Sequence, residues 1–568
     1  MLNNSTQLNS TQLNSTQLNS TQLNSTQLNA NNLLSVNFYC KNKFNIILLL
    51  VIIILLASAV FIHFYAFNRT AIYIDTIYHY YDIKQYYESK TLPTVGNRLM
   101  NSLDIRDNET YARIPGGFYY TLYLFCYIIG GGLAKARIIY IIICSIILLI
   151  FLYWIYKRFS LLIASIMSAL ILTNGYIIFS TNDFWNPNIP LIFSFLLFMV
   201  FCEYVSNKNE KYIFICSTLI FPIEAIMAQG HIAVFFSIIP TTIIYLIFRY
   251  KRTLKYIKAH ALGVFISFLF YLPYLISEIR NGFFNTKLML NMQSSSNFQG
   301  LPQVYSILIF PTNEISVLYG TNSTPTKYFW FNENIFFIGM IFLIITCIIS
   351  LTAFIYSIMF LIKKRKIKNY TMKYTDIMQK EAFIFYLIFI PATCLAFFIF
   401  NSKPGTFRYL YGIFAFSFIT IIIFFNNFLK NKNKLLIAFL ILITLNSVNM
   451  GFLHMKRYYD LFEAPYTEKE FKNILEAIVE DANGYKFKIV PYDELYFDNM
   501  RLAYFPNLQW NRDDNSKLTY FIYYEIENIR LKNTGKSKNY DEIMNNLPNN
   551  AVLLTGNYKL KVYRYIEN

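Results

Sequence analysis

About eleven long apolar stretches fill residues 45–452, and lysines and arginines collect in alternate gaps between them. A run of roughly 20 apolar residues crosses the hydrocarbon core of a bilayer, and basic residues mark the cytoplasmic ends of such spans. The pattern therefore predicts a mainly α, polytopic transmembrane helical bundle. The first strong run, 45–67, is too long and too far from the terminus to be a cleaved signal peptide. A hydrophobic share of 55%, 19% aromatic residues and a mean hydropathy of +0.37 agree with a lipid-embedded chain. The net charge of +18 lies largely in short tracts beside the spans, which points away from nucleic acid, whose partners cluster basic residues on one soluble surface.

Those tracts give an orientation. Lys41 and Lys43, Lys157 and Arg158, Lys208 and Lys211, the 249–258 and 363–380 runs and the 430–434 tract all fall in the cytoplasm under one assignment, in which the apolar stretch 116–133 does not cross. It then lies at the outer surface as an amphipathic or re-entrant segment, and 137–156 is the second span. Gly130, Gly131, Gly132 and Lys135 suit that reading. The remaining spans are expected near 160–179, 187–206, 212–229, 231–248, 259–278, 333–362, 382–400, 407–428 and 434–453. Outside the membrane this leaves loop 68–136, the turn 181–186, loop 279–332 and everything after His454.

Three regions follow: 1–44 in the cytoplasm, 45–453 in the membrane and 454–568 outside it. The first contains five tandem copies of Asn-Ser-Thr-Gln-Leu within 1–29, too polar to offset the entropy of ordering, and is expected to be disordered. In the last, 471–478 has helical spacing, while 485–490, 518–526, 551–554 and 559–565 read as strands of a small α+β domain. Its expected role is a lid packed on the membrane domain, or a grip on the acceptor. The seven cysteines sit in or beside apolar segments without metal-ligand spacing, so neither a disulfide framework nor a zinc site is expected.

Chemistry is expected at the outer end. In AIYIDTIYHYYDIKQYYESKTLPTVG, Asp75, His79 and Asp82 stand at i, i+4 and i+7, one face of a helix, able to deprotonate a hydroxyl or hold a divalent cation. The bland alternative makes Asp75 a helix cap with His79 and Asp82 in water. RIPGGFYY, beginning at Arg113, offers a guanidinium for phosphate, with Tyr119 and Tyr120 suited to the headgroup level. In TNDFWNPN, beginning at Thr181, Trp185 is placed to stack on a sugar ring, with Asn182, Asp183 and Asn186 hydrogen-bonding its hydroxyls; a helix cap is the plainer reading. Glu224, at bilayer depth, is expected to face a cavity or a partner, with Gln229 and His231 at the outer end of its span. Arg408 and Tyr409 open a span from outside, as phosphate contacts or interfacial anchors.

The early outer loop with Asp75, the Leu-Pro-x-x-Gly turn, the Pro-Gly-x-x-Tyr-Tyr surface helix, Arg137 opening the next span and Asn-Asp-x-Trp-Asn-Pro-Asn together resemble the C-type (GT-C) glycosyltransferase superfamily. The likeness is to bacterial relatives of protein O-mannosyltransferases and lipid A aminoarabinose transferases, over about 45–430. It implies transfer of a sugar from a polyprenyl-phosphate carrier to an envelope acceptor on the noncytoplasmic side, with Asp75 as catalytic base. Where the family often has Asp-Glu, Thr76 follows Asp75 here, so a second carboxylate is sought at Asp82 or Asp183. Arg113, Arg137 and Arg408 are the candidates for stabilising the departing phosphate, and Mg or Mn held by Asp75, His79 and Asp82 is an admissible cofactor. The competing class is a transporter or lipid-linked-glycan flippase, which internal repeats would favour; none is evident. High Asn, Ile, Lys and Tyr usage fits an AT-rich bacterial genome, and with it a plasma-membrane setting with the N-terminus inside and the C-terminus outside.

Overall fold

The computed structural model describes residues 45–67, 74–98, 112–291, 308–309, 336–365, 372–399, 407–428, 436–445, 447–448, 467–491, 494–505, 508–524, 547–556 and 560–567. The N-terminal repeat, Cys40 and most of loop 279–332 lie outside them.

In chain order the membrane region runs α1 (Asn45–Phe67), α2 (Ile74–Ser89), α3 (Gly117–Gly130), α4 (Leu133–Arg158), α5 (Leu161–Ile171), α6 (Gly175–Asn182), α7 (Asn188–Ser206), α8 (Glu210–Gly230) and α9 (Ile232–Phe248). It continues through α10 (Tyr250–Lys255), α11 (Ile257–Arg280), α12 (Phe284–Asn291), α13 (Phe336–Arg365), α14 (Tyr374–Ile399), α15 (Arg408–Asn427, its first turns 3-10) and α16 (Leu436–Leu445). Among the described residues eight helices are long and apolar enough to cross a membrane, nine if the bent pair α5–α6 is one span. Among the described residues the expected count of eleven is therefore not confirmed. The 17 residues of α9 rise about 26 Å, just short of a 30 Å core, and α16 shows ten residues of the expected 434–453. Helix α3, at 14 residues, rises about 21 Å and is too short to cross.

Sequence explains the breaks. Asn174 restarts the helix after α5 by accepting from the Tyr176 and Ile177 amides, and α6 leaves at 68° to α5. Gly131, at φ 65°, ends α3 in the left-handed region. A Cβ on Gly130 would lie 2.6 Å from the Ala136 nitrogen, so only glycine lets α4 turn back against α3.

The two ends of the bundle differ chemically. At one end buried Glu203 accepts from Trp154, Arg158, Asn207 and Tyr374; Arg249 grips Glu381 with two 2.8 Å bonds; and Lys364 meets Asp376 at 2.6 Å. Leu48 lies at this end, its carbonyl accepting from Ser165, whereas His63 at the far end of α1 meets Thr181 and Asn182. Helix α1 thus runs from the basic end to the end that carries α2, α3 and the 181–188 turn. Between the ends, rows such as Ile46, Leu49, Leu50 and Ile53 on α1 and Ile142, Ile146, Leu149 and Ile150 on α4 stay exposed, as lipid-facing sides require.

The C-terminal region comprises α17 (Glu468–Ala482), β1 (Lys488–Pro491), α18 (Glu494–Tyr504), β2 (Leu518–Tyr524), β3 (Val552–Gly556) and β4 (Leu560–Ile566). The sheet order is β1-β2-β4-β3, with β1 parallel to β2 and the other pairs antiparallel. All four expected strands and the helix are present; α18, the crossover that a parallel pair needs, was not expected. Thr467 and Glu470 form a capping box on α17, whose Phe471, Ile474, Leu475 and Ile478 are buried.

Candidate functional site

Helix α2 lies at the end of the bundle opposite the Glu203 and Glu381 clusters, packed against α3 and α18. Asp75 stands in its first turn, and the Asp75 side chain lies outside the described residues. Behind it, Thr76, His79, Tyr80 and Asp82 are all buried. Two glycine motifs bring the loop onto α3: a Cβ on Gly116 would lie 2.3 Å from the Gly96 Cα, and one on Gly117 would lie 3.0 Å from the Pro93 carbonyl oxygen. That close approach explains both the Leu-Pro-x-x-Gly turn and the Pro-Gly-Gly step. Bonds from Gly96 to Ile114 (2.7 Å) and from Ile114 to Asn97 (3.0 Å) close the contact and set Arg98 beside Arg113.

His79 and Asp82 do share a face, and Tyr120 joins them. Its hydroxyl donates to Asp82 at 3.0 Å and lies 3.1 Å from His79 Nδ1. One hydroxyl has one proton, so Nδ1–H donates to Tyr120, and Nε2 lies 3.2 Å from Asn186 Oδ1, 3.3 Å from the Asn186 amide nitrogen and 3.4 Å from Asn97 Nδ2. Burial pushes the Tyr120 phenol well above its ordinary value, with Asp82 adding to it, so it remains a donor.

Asp82 is held by Arg113 at 2.9 and 3.3 Å and faces Arg98 at 3.9 Å. Burial opposes the charge on Arg113, but Asp82 more than offsets it and keeps the guanidinium above its ordinary value. With two guanidiniums against one carboxylate, the locality carries excess positive charge. Of the expected divalent-cation set, Asp82 meets Arg113 through both oxygens, His79 is engaged through both nitrogens and the Asp75 side chain lies outside the described residues; among the described residues no three His, Cys, Asp or Glu side chains gather as ligands. Tyr119 and Tyr120, expected at headgroup level, are instead fully buried; the Tyr119 hydroxyl accepts from the Asn97 amide at 2.6 Å, and Phe125, Ile128 and Ile129 form the outward face of α3. Their hydroxyls have partners inside, which a lipid-facing position would not supply.

A second cluster forms where α4 meets the 181–188 turn. Buried Asp183 accepts from the Tyr80 hydroxyl and from the Phe184 amide, and Arg137 stands 4.0 Å away. Burial raises the Asp183 carboxyl above its ordinary value, against the pull of Arg137 and those hydrogen bonds. Arg137 also donates to the Asn182 carbonyl (3.0 Å) and to Glu468 of the C-terminal domain (2.7 Å). Asn182 itself faces inward, donating to Ile178 and His63. Asn186 ties the turn to Gly230 at 2.7 Å. Gln229 accepts from the Phe118 amide (2.9 Å) and donates to the Phe270 carbonyl (2.8 Å), fixing the start of α3.

The third group retains exposure. Arg408 lies with its guanidinium 5.4 Å from the Trp185 ring, and Tyr409 packs edge-on against His231 at 5.0 Å; Trp185, Arg408 and Tyr409 are half-buried. Arg408 Nε is buried without a protein partner among the described residues. Glu224 is apart from this group, within α8, bonded by the Thr242 hydroxyl.

Sequence reasoning thus found residues that do converge at one end of the bundle, and it missed Arg98, Asn97, Tyr80, Glu468 and Tyr504. Arg98 was within reach, as a charge two residues past the Gly96 turn; the others carry no local signal.

No protein-family model matches the chain, and no curated protein matches it significantly. Solved structures with a similar arrangement include ArnT from Cupriavidus metallidurans, in the apo state and bound to undecaprenyl phosphate, each with TM-score 0.42 and 10% identity over 90% of this chain and 97% of that one. The Archaeoglobus fulgidus oligosaccharyltransferase in complex with Zn and sulfate is also similar, with TM-score 0.43 and 13% identity over 80% of this chain and 61% of that one.

Proposed function

We propose that this protein is a membrane glycosyltransferase that moves a sugar from a polyprenyl-phosphate carrier to an envelope acceptor at the outer face of a bacterial plasma membrane. The observation that carries the reading is the position of Asp75 in the first turn of α2, at the end of the bundle where Arg98, Arg113, Arg137 and Arg408 gather. In this scheme the Asp75 carboxylate takes the proton of an acceptor hydroxyl. The acceptor oxygen forms its bond to the anomeric carbon as the carbon–oxygen bond to phosphate breaks, with inversion, and polyprenyl phosphate departs. Charge builds on that phosphate, and preorganised guanidiniums are the groups that lower its energy in a site sheltered from water. Arg408 and Trp185 suit the donor, one as a partly exposed cation and the other as a face for the sugar. The basic opposite end, rich in Lys and Arg, is then cytoplasmic.

The test compares envelope glycans and lipids by mass spectrometry in a strain lacking the gene, complemented with wild-type protein or with Asp75→Asn. One glycan feature is expected to disappear with the gene and to return only with the wild type. Full restoration by Asp75→Asn sinks the assignment of the base.

A further inference from the structure

Two contacts from the C-terminal domain enter the site itself. The Tyr504 hydroxyl lies 3.3 Å from Thr76 Oγ1, one residue past Asp75, and the Tyr504 ring packs edge-on against Tyr80 at 4.7 Å. Glu468 bonds Arg137 at 2.7 Å, and Arg137 in turn faces Asp183, the acceptor of the Tyr80 hydroxyl. Thr76, Tyr80, Arg137 and Asp183 are all at most 1% exposed, so these contacts are made in a sheltered interior where hydrogen bonds and charges weigh more than at a surface.

Both contacts come from one packed body. Glu468 opens α17, whose start is fixed by the Thr467–Glu470 capping box, and Tyr504 closes α18; Phe471 of α17 packs against Phe497 of α18 at 5.2 Å. A surface lid would be expected to rest on the bundle through rim contacts. Here one prong grips the turn that holds Asp75 and the other occupies the arginine that opens α4.

We infer that the C-terminal domain is a positioning element of the site, in which Tyr504 and Glu468 hold the first turn of α2 in register with Arg137 and Asp183. Its catalytic meaning rests on the glycosyltransferase reading; its structural content does not. Tyr504 and Glu468 are positioning residues that act through Thr76 and Arg137. Docking of the domain then sets how often the Asp75 turn is correctly formed, which bears on turnover more than on donor binding.

The experiment uses the full-length protein in detergent. Hydrogen exchange by mass spectrometry is read over peptides spanning 74–82 for Tyr504→Phe and Thr76→Val, each of which removes one hydroxyl and little volume, and for the double variant, which removes both. Each single change is expected to speed exchange there about fivefold, the double change no more than either alone, and Thr76→Ser to behave as wild type. Exchange at the wild-type rate in both single variants overturns the inference. Glu468→Gln is expected to speed the same peptides, with Glu468→Asp in between. In transfer assays on the native donor pool, Tyr504→Phe is expected to lower kcat with KM unchanged; a raised KM at constant kcat overturns the positioning role. Exchange needs no substrate, so the two readings fail separately: faster exchange in a protein whose Asp75→Asn variant remains fully active keeps the clamp and removes the catalytic reading.

Discussion

Replacing Asp82 with Asn separates a structural carboxylate from a chemical one. Asp82 is the negative partner of Arg113 at 2.9 Å and Arg98 at 3.9 Å, and the two guanidinium side chains are 12% and 1% exposed. Asparagine keeps the shape and removes the charge, stranding two cations side by side in the interior. A unit-charge pair near 4 Å is worth about 4 kcal/mol at an effective dielectric constant of ~20. Removing one partner of a buried pair costs about 3–5 kcal/mol, a large part of the 5–15 kcal/mol that stabilises a typical domain. Asp82→Asn is therefore expected to lower the melting midpoint in detergent sharply and to cut the yield of monodisperse protein. Adding Arg113→Gln to that background removes one stranded cation and is expected to recover part of the loss. Asp75→Asn, measured beside them, is expected to leave stability near wild type while abolishing transfer. An Asp82→Asn protein with an unchanged melting curve refutes the reasoning and restores Asp82 as a candidate for the second catalytic carboxylate.

Gly116→Ala places a Cβ 2.3 Å from the Gly96 Cα, backbone against backbone, so correctly folded protein is expected to be lost where Gly131→Ser, with open space around it but a left-handed backbone, costs only about 1 kcal/mol; comparing yields by fluorescence-detected size exclusion checks this. Glu203→Gln weakens a buried acceptor serving Trp154, Arg158, Asn207 and Tyr374, and a destabilisation of about 2–4 kcal/mol at the basic end is expected in thermal melts, with transfer per folded molecule unchanged. Cysteines at Tyr485 (73% exposed) and at exposed Lys255 are expected to react with a membrane-impermeant maleimide from outside intact cells at the first position only. Because arginines rather than a metal are assigned the electrostatic role around Asp82, chelator treatment is expected to leave transfer intact; complete loss restored by Mg or Mn contradicts that assignment.

What the sequence made legible follows from how each feature is written in it. Long apolar runs and alternating basic gaps are local, so eight of the eleven expected spans, nine with the bent pair, and a helix α3 too short to cross could be read from them. The glycine motifs announced a close approach without naming the partner, which proved to be one motif against the other, Gly96 on Gly116. The face carrying His79 and Asp82 followed from helical spacing, but its chemistry did not: Asp82 acquires two arginines from across a loop, and His79 a tyrosine from α3. Least legible were the contacts of longest range. Arg137 and Glu468 are 331 residues apart and Thr76 and Tyr504 are 428 apart, so no periodicity or spacing links them. Such pairs are set by how whole elements dock.

The central claim is that Asp75 lets an acceptor displace a lipid-borne sugar. Its most direct measurement takes the lipid extract of cells lacking the gene, where unused donor accumulates, and adds purified wild-type protein or the Asp75→Asn variant with wild-type acceptor membranes. Mass spectrometry then follows release of free polyprenyl phosphate. The account predicts release by the wild type and none above background by Asp75→Asn; equal release by both proteins contradicts it.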